Sequence, residues 1–366
     1  MKQEIKICKR CVMDTSDHNI VFNKQGFCNH CIDWFKFNNE KSVLKDIAPI
    51  IAEIKAQKHQ KYDCLLGLSG GVDSSYIAHL AKKEFNLNPL IVHLDNGWNS
   101  KTAVRNIKKI VQKNEFDLYT YVIDWEEFKQ MQIAYFKAGV VDIEALTDHA
   151  IHNILYKVAK ENNIEYVLKG FNTKSEFIMP KNWTFSKLDF DNIKDIVAKN
   201  SDVEIKTFPM FDSKTVAEYK NMLKSVNVFD YHSFEEVKVK EELQKEYDWK
   251  PYYGKHYESV FTRFYQAYIL PEKFNIDKRK AHYSNLICMG ELTREEALER
   301  MKTSHYDLLD SDYEYVLKKL EIETTWFENY MKAKPVSHFA YKTNLKSKLN
   351  KLINVPNMFL NKLKYL

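Results

Sequence analysis

Between Asp63 and Leu168 the chain alternates short apolar runs with amphipathic stretches, and that alternation leaves few folds open. Asp63–Leu68, Pro89–Leu94, Asp117–Ile123 and Ile164–Leu168 have the length and the Leu, Ile and Val content of strands. After the first strand, Ile77, Leu80, Ala81 and Phe85 recur at helical spacing. Residues 101–113 put Val104, Ile107, Ile110 and Val111 on one side, and Glu144–Glu161 reads as a further helix. Strand–helix repetition of this kind predicts an α/β domain built on a parallel sheet. In such sheets ligands bind beyond the carboxyl ends of the strands, so the strand-to-helix turns are where function is expected.

Glycine marks those turns. Only nine glycines occur in 366 residues. Three of them, Gly67, Gly70 and Gly71, fall within five positions of the first turn, Gly67-Leu68-Ser69-Gly70-Gly71-Val72-Asp73-Ser74-Ser75. Gly70 and Gly71 let successive backbone N–H groups converge on an anion. Ser69, Ser74 and Ser75 add hydroxyl donors, and the following helix aims its N-terminal dipole at the same point. The loop is neither a GxxxxGK[ST] nor a G-x-G-x-x-G motif. A serine-capped turn is the bland alternative, but this loop follows a strand and opens a helix, as a phosphate site requires. Gly97, in His93-Leu94-Asp95-Asn96-Gly97-Trp98, and Gly170, in Lys169-Gly170-Phe171-Asn172 with Glu176 beyond, mark two more strand ends. Each alone is an ordinary turn; three together predict one shared ligand cleft.

Four of the six cysteines lie in the first 31 residues, as Cys8-x2-Cys11-x16-Cys28-x2-Cys31. That spacing suits a tetrahedral site of four thiolates, with Gly26 turning a hairpin between two knuckles. Structural zinc is favoured over two disulfides, which need an oxidising compartment, and over a redox or iron–sulfur role. A full shell of four thiolates leaves no open position for catalysis. His18 and His30 are spare ligands nearby or plain surface or core residues.

The remaining organisation follows from pattern and charge. Lys41–Gln57 carries Leu44, Ile47, Ile51 and Ile54 at helical spacing, with Pro49 expected to kink the helix. The expected segments are a ribbon at 1–40, a linker helix at 41–60, the α/β domain at 61–200, a mostly helical region at 201–332 and a basic tail at 333–366. From Lys332 onward there are eight lysines and no acidic residue; set aside from the total of +5, they leave residues 1–331 at −3. A broad nucleic-acid-binding face is therefore not expected. The tail's lysines alternate with Leu345, Leu349, Leu352, Ile353, Leu360 and Leu363, which suits an anionic membrane surface or a partner, or a plain basic tail interrupted by Pro356. No apolar run approaches the ~18 residues of a membrane span, and Met1–Lys6 is charged from the start, so a cytoplasmic location is expected.

Ser69-Gly70-Gly71-Val72-Asp73-Ser74 resembles the SGGxDS signature of the PP-loop ATP pyrophosphatases, a superfamily that includes GMP, argininosuccinate and NAD synthetases and tRNA-thiolating enzymes. The resemblance implies an adenine nucleotide alpha-hydrolase-like, Rossmann-type domain that splits ATP between its α and β phosphates. It puts Ser69, Gly70, Gly71, Asp73 and Ser74 at the β and γ phosphates, with Gly67, Val72 and Ser75 completing the loop, and Asp73 also on Mg²⁺. It puts His93, Asp95, Asn96 and Gly97 at the adenosine, with Gly170, Asn172 and Glu176 across the cleft.

Further blocks sharpen the resemblance. Val12–Asp17, Thr147-Asp148-His149-Ala150-Ile151, Tyr253–Ser259, Thr262–Gln266, Asp277–Lys280 and Thr293–Ala297 look like those of the N-acetyl sugar amidotransferases, from about residue 5 to about 332. That family implies ATP-dependent conversion of an acetamido group to an acetamidino group in bacterial surface-glycan sugars of the pseudaminic or uronic acid type. Adenylation turns the amide oxygen into a leaving group; ammonia then attacks, and AMP departs. The candidate catalytic residues are Asp73, Ser69, Lys255, His256 and His149. The candidate substrate residues are Asp148, Tyr257, Glu258, Arg263, Lys278 and Arg279. Together with Lys280, the basic members of this set suit triphosphate or a sugar carboxylate, for which an arginine fork is fitted. Solvated helix faces remain equally open for Lys278–Lys280, and His149 reads either as orienting substrate or as a satisfied core histidine. Gly290, before the Thr293-x-x-Glu296 capping box, is expected to close one helix before the next. Gly139 has no expected role.

Two rival readings remain: a tRNA 2-thiolation enzyme and a non-catalytic zinc-ribbon adaptor. Thiolation chemistry usually needs cleft cysteines, and only Cys64 and Cys288 remain outside the ribbon. No glutaminase nucleophile with its histidine base is evident, so a separate glutaminase subunit is the expected ammonia source, with a channel subunit as the family implies.

Overall fold

The computed structural model describes residues 5–40, 45–57, 61–171, 173–252, 254, 257–302 and 309–345. Five strands, β1 (Cys64–Gly67), β2 (Pro89–Asp95), β3 (Leu118–Val122), β4 (Tyr166–Lys169) and β5 (Lys224–Asn227), form one sheet in the order β3-β2-β1-β4-β5. All four pairings are parallel, as the alternation predicts. Strand side chains alternate between faces, so Leu66 enters one core and Leu65 the other, both fully buried. On the Leu66 face lie α2 (Ala48–Lys55), α3 (Val72–Lys83), α4 (Lys101–Asn114) and α9 (Glu236–Tyr247). On the Leu65 face lie α6 (Ala145–Glu161) and α8 (Ser213–Met222). The chain runs outward from β1 to β3, then returns to β4 on the other side of β1. That reversal opens a crevice at the carboxyl ends of β1 and β4.

Several local expectations change. Pro49 occupies the first turn of α2 and starts that helix instead of kinking it, because its missing N–H is one a helix start leaves unpaired anyway. In α4 the buried set is Ala103, Asn106, Ile107, Ile110 and Asn114, whereas Val104 is exposed. A helix not anticipated, α5 (Trp125–Ala138), follows β3 and buries Phe128, Met131, Tyr135 and Phe136. With β5 at 224–227, the sheet runs beyond residue 200, and α7 (Phe190–Asn200) belongs to the body around it.

The C-terminal half is mostly helical. α10 (Val260–Phe264) continues through a π-type turn at Tyr265–Ile269 into α11 (Leu270–Phe274). Then come α12 (Lys278–Met289), α13 (Arg294–Lys302), α14 (Leu309–Leu320) and α15 (Thr324–Lys332). Phe261, Phe264, Phe327 and Tyr330 join Phe136 of α5 in one large apolar core. Gly290 ends α12 with φ +81°, and Thr293 and Glu296 exchange bonds across the next helix start, as expected. Residues 333–345, placed in the tail by their charge, pack on the body instead. Val336 N–H donates to the Gly139 carbonyl at 2.9 Å, and His338 is 3% exposed against Asn192. Gly139 thereby acquires a role: at φ +67° it ends α5 and turns its carbonyl to this segment. The tail beyond residue 345 lies outside the described residues.

Candidate active site

The phosphate loop is built around the carbonyl of Gly70. Gly70 has φ +82°, and a Cβ on it would stand 2.7 Å from the Ala103 carbonyl oxygen, so no other residue fits. Its own carbonyl accepts from Trp249 Nε1 and Tyr252 Oη, both at 3.1 Å. With that edge anchored on the body, the other edge faces a cavity of about 800 Å³ lined by Ser69, Gly71, Val72, Asp73 and Ser74. Ser69 and Ser74 hydroxyls lie 3.2 Å apart, and the Gly71 N–H donates to Ser69 Oγ. α3 starts at Val72 with Gly71 as its cap and no side-chain cap bond. No capping side chain takes up its first N–H groups, which stand on the positive end of the helix dipole.

Three further walls close the cavity. At the end of β4 stand Lys169 and Gly170, with Ser175 and Glu176 beyond. A Cβ on Gly170 would meet Asp73 Cβ at 3.2 Å, so glycine lets this turn lie against the first turn of α3. α6 contributes Asp148, Ile151, His152 and Leu155, one helical stripe at i, i+3, i+4 and i+7. The third wall comes from Tyr257 and Glu258, just before α10, and from α12, which supplies Lys278, Arg279, His282 and Tyr283. Glu258 accepts from Ser69 Oγ at 3.5 Å, so a carboxylate from the C-terminal half reaches the phosphate loop.

An ionic cluster underlies α6. Lys187 Nζ lies 2.6 Å from Asp142 and 3.1 Å from Asp148. Burial opposes ionisation of Asp142, but Lys187, Lys278 and the Phe185 N–H overcome it and hold the carboxyl at about 2. Burial pushes Glu144 up to about 7, although Thr262 Oγ1 donates to it at 2.6 Å. Lys169 and Lys278 line the cavity without a hydrogen-bonded or ion-paired partner among the described residues, and burial lowers both ammonium groups. Ammonium groups in a cleft without a direct hydrogen-bonded partner suit an anionic ligand.

The expected site residues divide accordingly. Gly67, Ser69, Gly71, Val72, Asp73, Ser74, Asp148, Gly170, Glu176, Tyr257, Glu258, Lys278 and Arg279 all line the cavity. Gly70 shapes the loop from behind, and Ser75 is fully buried with its hydroxyl away from the cavity. His149 is a core residue, with Nε2 accepting from Phe211 N–H at 3.0 Å and Nδ1 donating to the Lys187 carbonyl at 2.7 Å. Burial holds its ring neutral, at about 4. Arg263 spends its fork on Asp312, at 2.6 Å through both nitrogens, and does not line the cavity. Lys255, His256 and Asn172 lie outside the described residues.

The His93–Trp98 block also stands outside the cavity lining, and it serves as a dock. His93 bonds the Leu68 carbonyl and Asn99, while Asp95 accepts from the Gly97 N–H and from Asn99. Asn96 donates to Thr147, and Gly97 at φ +81° packs under Trp125. The Trp98 carbonyl accepts from the Val260 N–H at 2.9 Å, the Trp98 ring lies 5.2 Å from that of Phe261, and Ser100 N–H donates to the Glu258 carbonyl. These strand-end residues therefore carry the C-terminal half to the loop. Sequence reasoning missed His152 and Lys169. The helical phase of Asp148 and the position at the end of β4 were the available signals.

The four N-terminal cysteines form a buried cluster, with all four sulfurs within 4.8 Å of one another. Cys8–Cys31, Cys11–Cys28 and Cys28–Cys31 are 3.8, 3.5 and 3.7 Å apart. A disulfide needs ~2.0 Å, whereas four thiolates ~2.3 Å from a tetrahedral ion stand ~3.8 Å apart. The residues present therefore fit a metal ion. Cys28 and Arg10 N–H groups point at Cys8 Sγ, at 3.2 and 3.4 Å. His30 pairs with Asp17 at 2.6 Å, and His18 is exposed. Asp14 holds Lys280 at 2.6 Å, and Arg294 donates to the carbonyls of Cys8 and Cys11. Lys280 and Arg294 are thus ribbon anchors.

A parallel sheet with this loop at its switch point, facing one charged cavity, is the arrangement of a PP-loop fold. Residues 44–186 match the family model for NAD synthase, and residues 258–353 match that for the C-terminal domain of LPS biosynthesis protein WbpG-like proteins. The two matches give the chain an NAD synthase-like PP-loop domain and a WbpG-like C-terminal domain beside its N-terminal cysteine cluster, and the second match runs past residue 332, where the sequence resemblance ends. An uncharacterized protein of Methanocaldococcus jannaschii, MJ1599, is 28% identical over 166 residues; the alignment spans 44% of this chain and 58% of that protein. Among solved structures, the NH3-dependent NAD synthetase of Campylobacter jejuni is 16% identical, with TM-score 0.31, covering 55% of this chain and 98% of that chain. The NMN synthetase of Francisella tularensis is 14% identical, with TM-score 0.37, covering 75% and 94%. The U34-tRNA thiolase NcsA of Methanococcus maripaludis, with its [4Fe-4S] cluster, is 14% identical, with TM-score 0.32, covering 83% and 90%.

Proposed function

We propose that this chain is an AMP-forming amidotransferase that converts an acetamido group of a bacterial surface-glycan sugar into an acetamidino group. The observation that carries the reading is the shared cavity, lined both by the phosphate loop and by Glu258 and α12 of the WbpG-like domain. An amide is a poor electrophile, and a loop that positions ATP and neutralises departing pyrophosphate is suited to activating it. Ser69, Ser74 and the first N–H groups of α3 receive phosphate oxygens. Asp73 and Glu258 are the carboxylates that would hold Mg²⁺, which supplies charge neutralisation to the leaving pyrophosphate. Lys169 and Lys278, neither in a direct hydrogen bond or ion pair among the described residues, suit the anionic groups of nucleotide and substrate. In the ribbon, zinc is the ion that four buried thiolates most naturally take, in a structural role. Ammonia comes from a separate glutaminase subunit, with a channel-forming subunit between the two.

The cysteines weigh against thiolation. None of the six lines the cavity, Cys64 is fully buried in β1, and burial pushes the Cys288 thiol up to about 12. The test is to incubate the purified chain with ATP, Mg²⁺ and ammonium, and separately with diacetamido sugars or tRNA plus a sulfur donor. AMP release is expected only with a sugar, and the product is slightly lighter because NH replaces O. AMP release only with tRNA and sulfur would overturn the reading, and glutamine used as well as ammonium by this chain alone would remove the partner.

A further inference from the structure

The stripe of α6 that faces the cavity carries His152, one turn beyond Asp148. His152 Nδ1 lies 3.2 Å from Tyr219 Oη of α8, and Nε2 has no hydrogen-bond partner among the described residues. The ring stands at the root of the phosphate loop: Leu155, on the same stripe, is the side chain that a Cβ on Gly67 would meet, at 4.0 Å. Lys169 stands at the same root, because β4 pairs with β1 and carries it alongside Gly67. Its ammonium also has no partner among the described residues, and it lines the same cavity. A neutral imidazole and an uncompensated ammonium thus share one corner, next to the loop that holds the nucleotide.

We propose that His152 is the catalytic base of the ammonia-dependent half-reaction and that Lys169 holds the anionic oxygens of the departing AMP. This inference rests on the amidotransferase reading above. The ammonia nitrogen forms a bond to the carbon of the adenylated acetamido group. His152 Nε2 takes one proton from that nitrogen, in the tautomer whose Nδ1–H donates to Tyr219 Oη. The nitrogen electron pair then expels AMP: the carbon–oxygen bond breaks, and the oxygen leaves on the phosphate. An amidinium product and an imidazolium remain, and the imidazolium returns its proton to solvent. Nothing is oxidised or reduced.

The charges around His152 give the step its order. Burial first, then Lys169 and Lys187, hold the ring neutral, at about 4, while Asp148 pulls the other way. His149, on the same helix, is itself neutral, and Tyr219 is held protonated by burial. An anion on Lys169 removes the largest of these repulsions. Burial still depresses the ring, but seating the nucleotide on Lys169 makes His152 a stronger base at the step that needs one.

The test separates the half-reactions in the intact chain. Sugar-dependent exchange of labelled pyrophosphate into ATP reports adenylation without ammonia, and mass spectrometry reports amidine. H152Q is expected to lower amidine formation about 100-fold or more while lowering exchange less than about fivefold, since a general base contributes about 10²–10⁴. Y219F, which removes only the hydroxyl at Nδ1, is expected to give a smaller loss and to shift the pH profile of amidine formation. Amidine formation by H152Q within about threefold of wild type would overturn the proposal. So would equal loss of both half-reactions in a variant whose melting temperature is unchanged. If H152Q instead fails to fold, an unaltered pH profile in Y219F overturns it. Absence of sugar-dependent exchange in the wild-type chain would instead sink the amidotransferase reading.

Discussion

Gly70 meets two demands at once, a left-handed φ of +82° and a backbone approach that leaves no room for Cβ. Gly70→Ala is accordingly expected to cost about 2–4 kcal/mol of stability and to abolish ATP binding, read by thermal melting and calorimetry. The buried histidines make a second prediction. His149, His152 and His338 are each lowered to about 4, chiefly by burial, from an unfolded value near 6.5. Between those values the unfolded chain binds more protons, so stability is full above about pH 6.5 and falls as the pH drops toward 4. Glu144, raised to about 7 by burial, acts in the opposite sense, losing stability as the pH rises from about 4.5 to 7. Three groups against one predict a melting temperature that falls from pH 7 to pH 5, and H149N is expected to flatten that slope. A melting temperature constant over this range would count against it. His149 also shows where sequence reading reaches its limit. The block from Thr147 to Ile151 marks a functional helix, but its cavity-facing histidine lies one turn on, at 152. Only the helix's rotation against the sheet, set by Leu155 and Ile154 packing, tells the two apart.

At the scale of elements, α12 is shared between two tasks. Lys278, Arg279 and His282 face the cavity, while Lys280 and Ser284 hold the ribbon through Asp14 and the Val12 N–H. One bound metal ion per chain is expected by mass spectrometry. Chelating it is expected to expose residues 5–40 to proteolysis, because a segment this short lacks a core of its own; a chelated ribbon that stays resistant would argue against a metal. The segment 333–345 is a second brace. His338 stacks on Phe185 at 4.1 Å and accepts from the Asp142 N–H at 3.2 Å, so it steadies the loop that carries the ionic cluster. His338→Ala is expected to cost about 2–4 kcal/mol, in urea unfolding, through a cavity and an unpaired N–H. The strands of the central sheet were legible because their apolar runs are bounded by turns. β5 was not: Lys224-Ser225-Val226-Asn227 buries only Val226, and an edge strand with one apolar residue has no pattern to read. α5 hid in the same way, because its apolar residues spread round the helix once both its sides are covered.

For the whole molecule, the switch in strand order at β1 and β4 makes the crevice, and the WbpG-like helices close it. The dock is Trp98, which joins the second strand end to Val260 and Phe261. No helix among the described residues is long and apolar enough to cross a membrane. The central claim is that the amide oxygen of a sugar is adenylated in this cavity and leaves with AMP. The direct measurement supplies a diacetamido sugar whose acetamido carbonyl carries isotopically heavy oxygen, together with ATP, Mg²⁺ and ammonium, and follows the label by mass spectrometry. The account predicts heavy oxygen in the phosphate of AMP, one atom for each acetamidino group formed. Label retained in the sugar, released to water, or found in inorganic phosphate alongside ADP would contradict it.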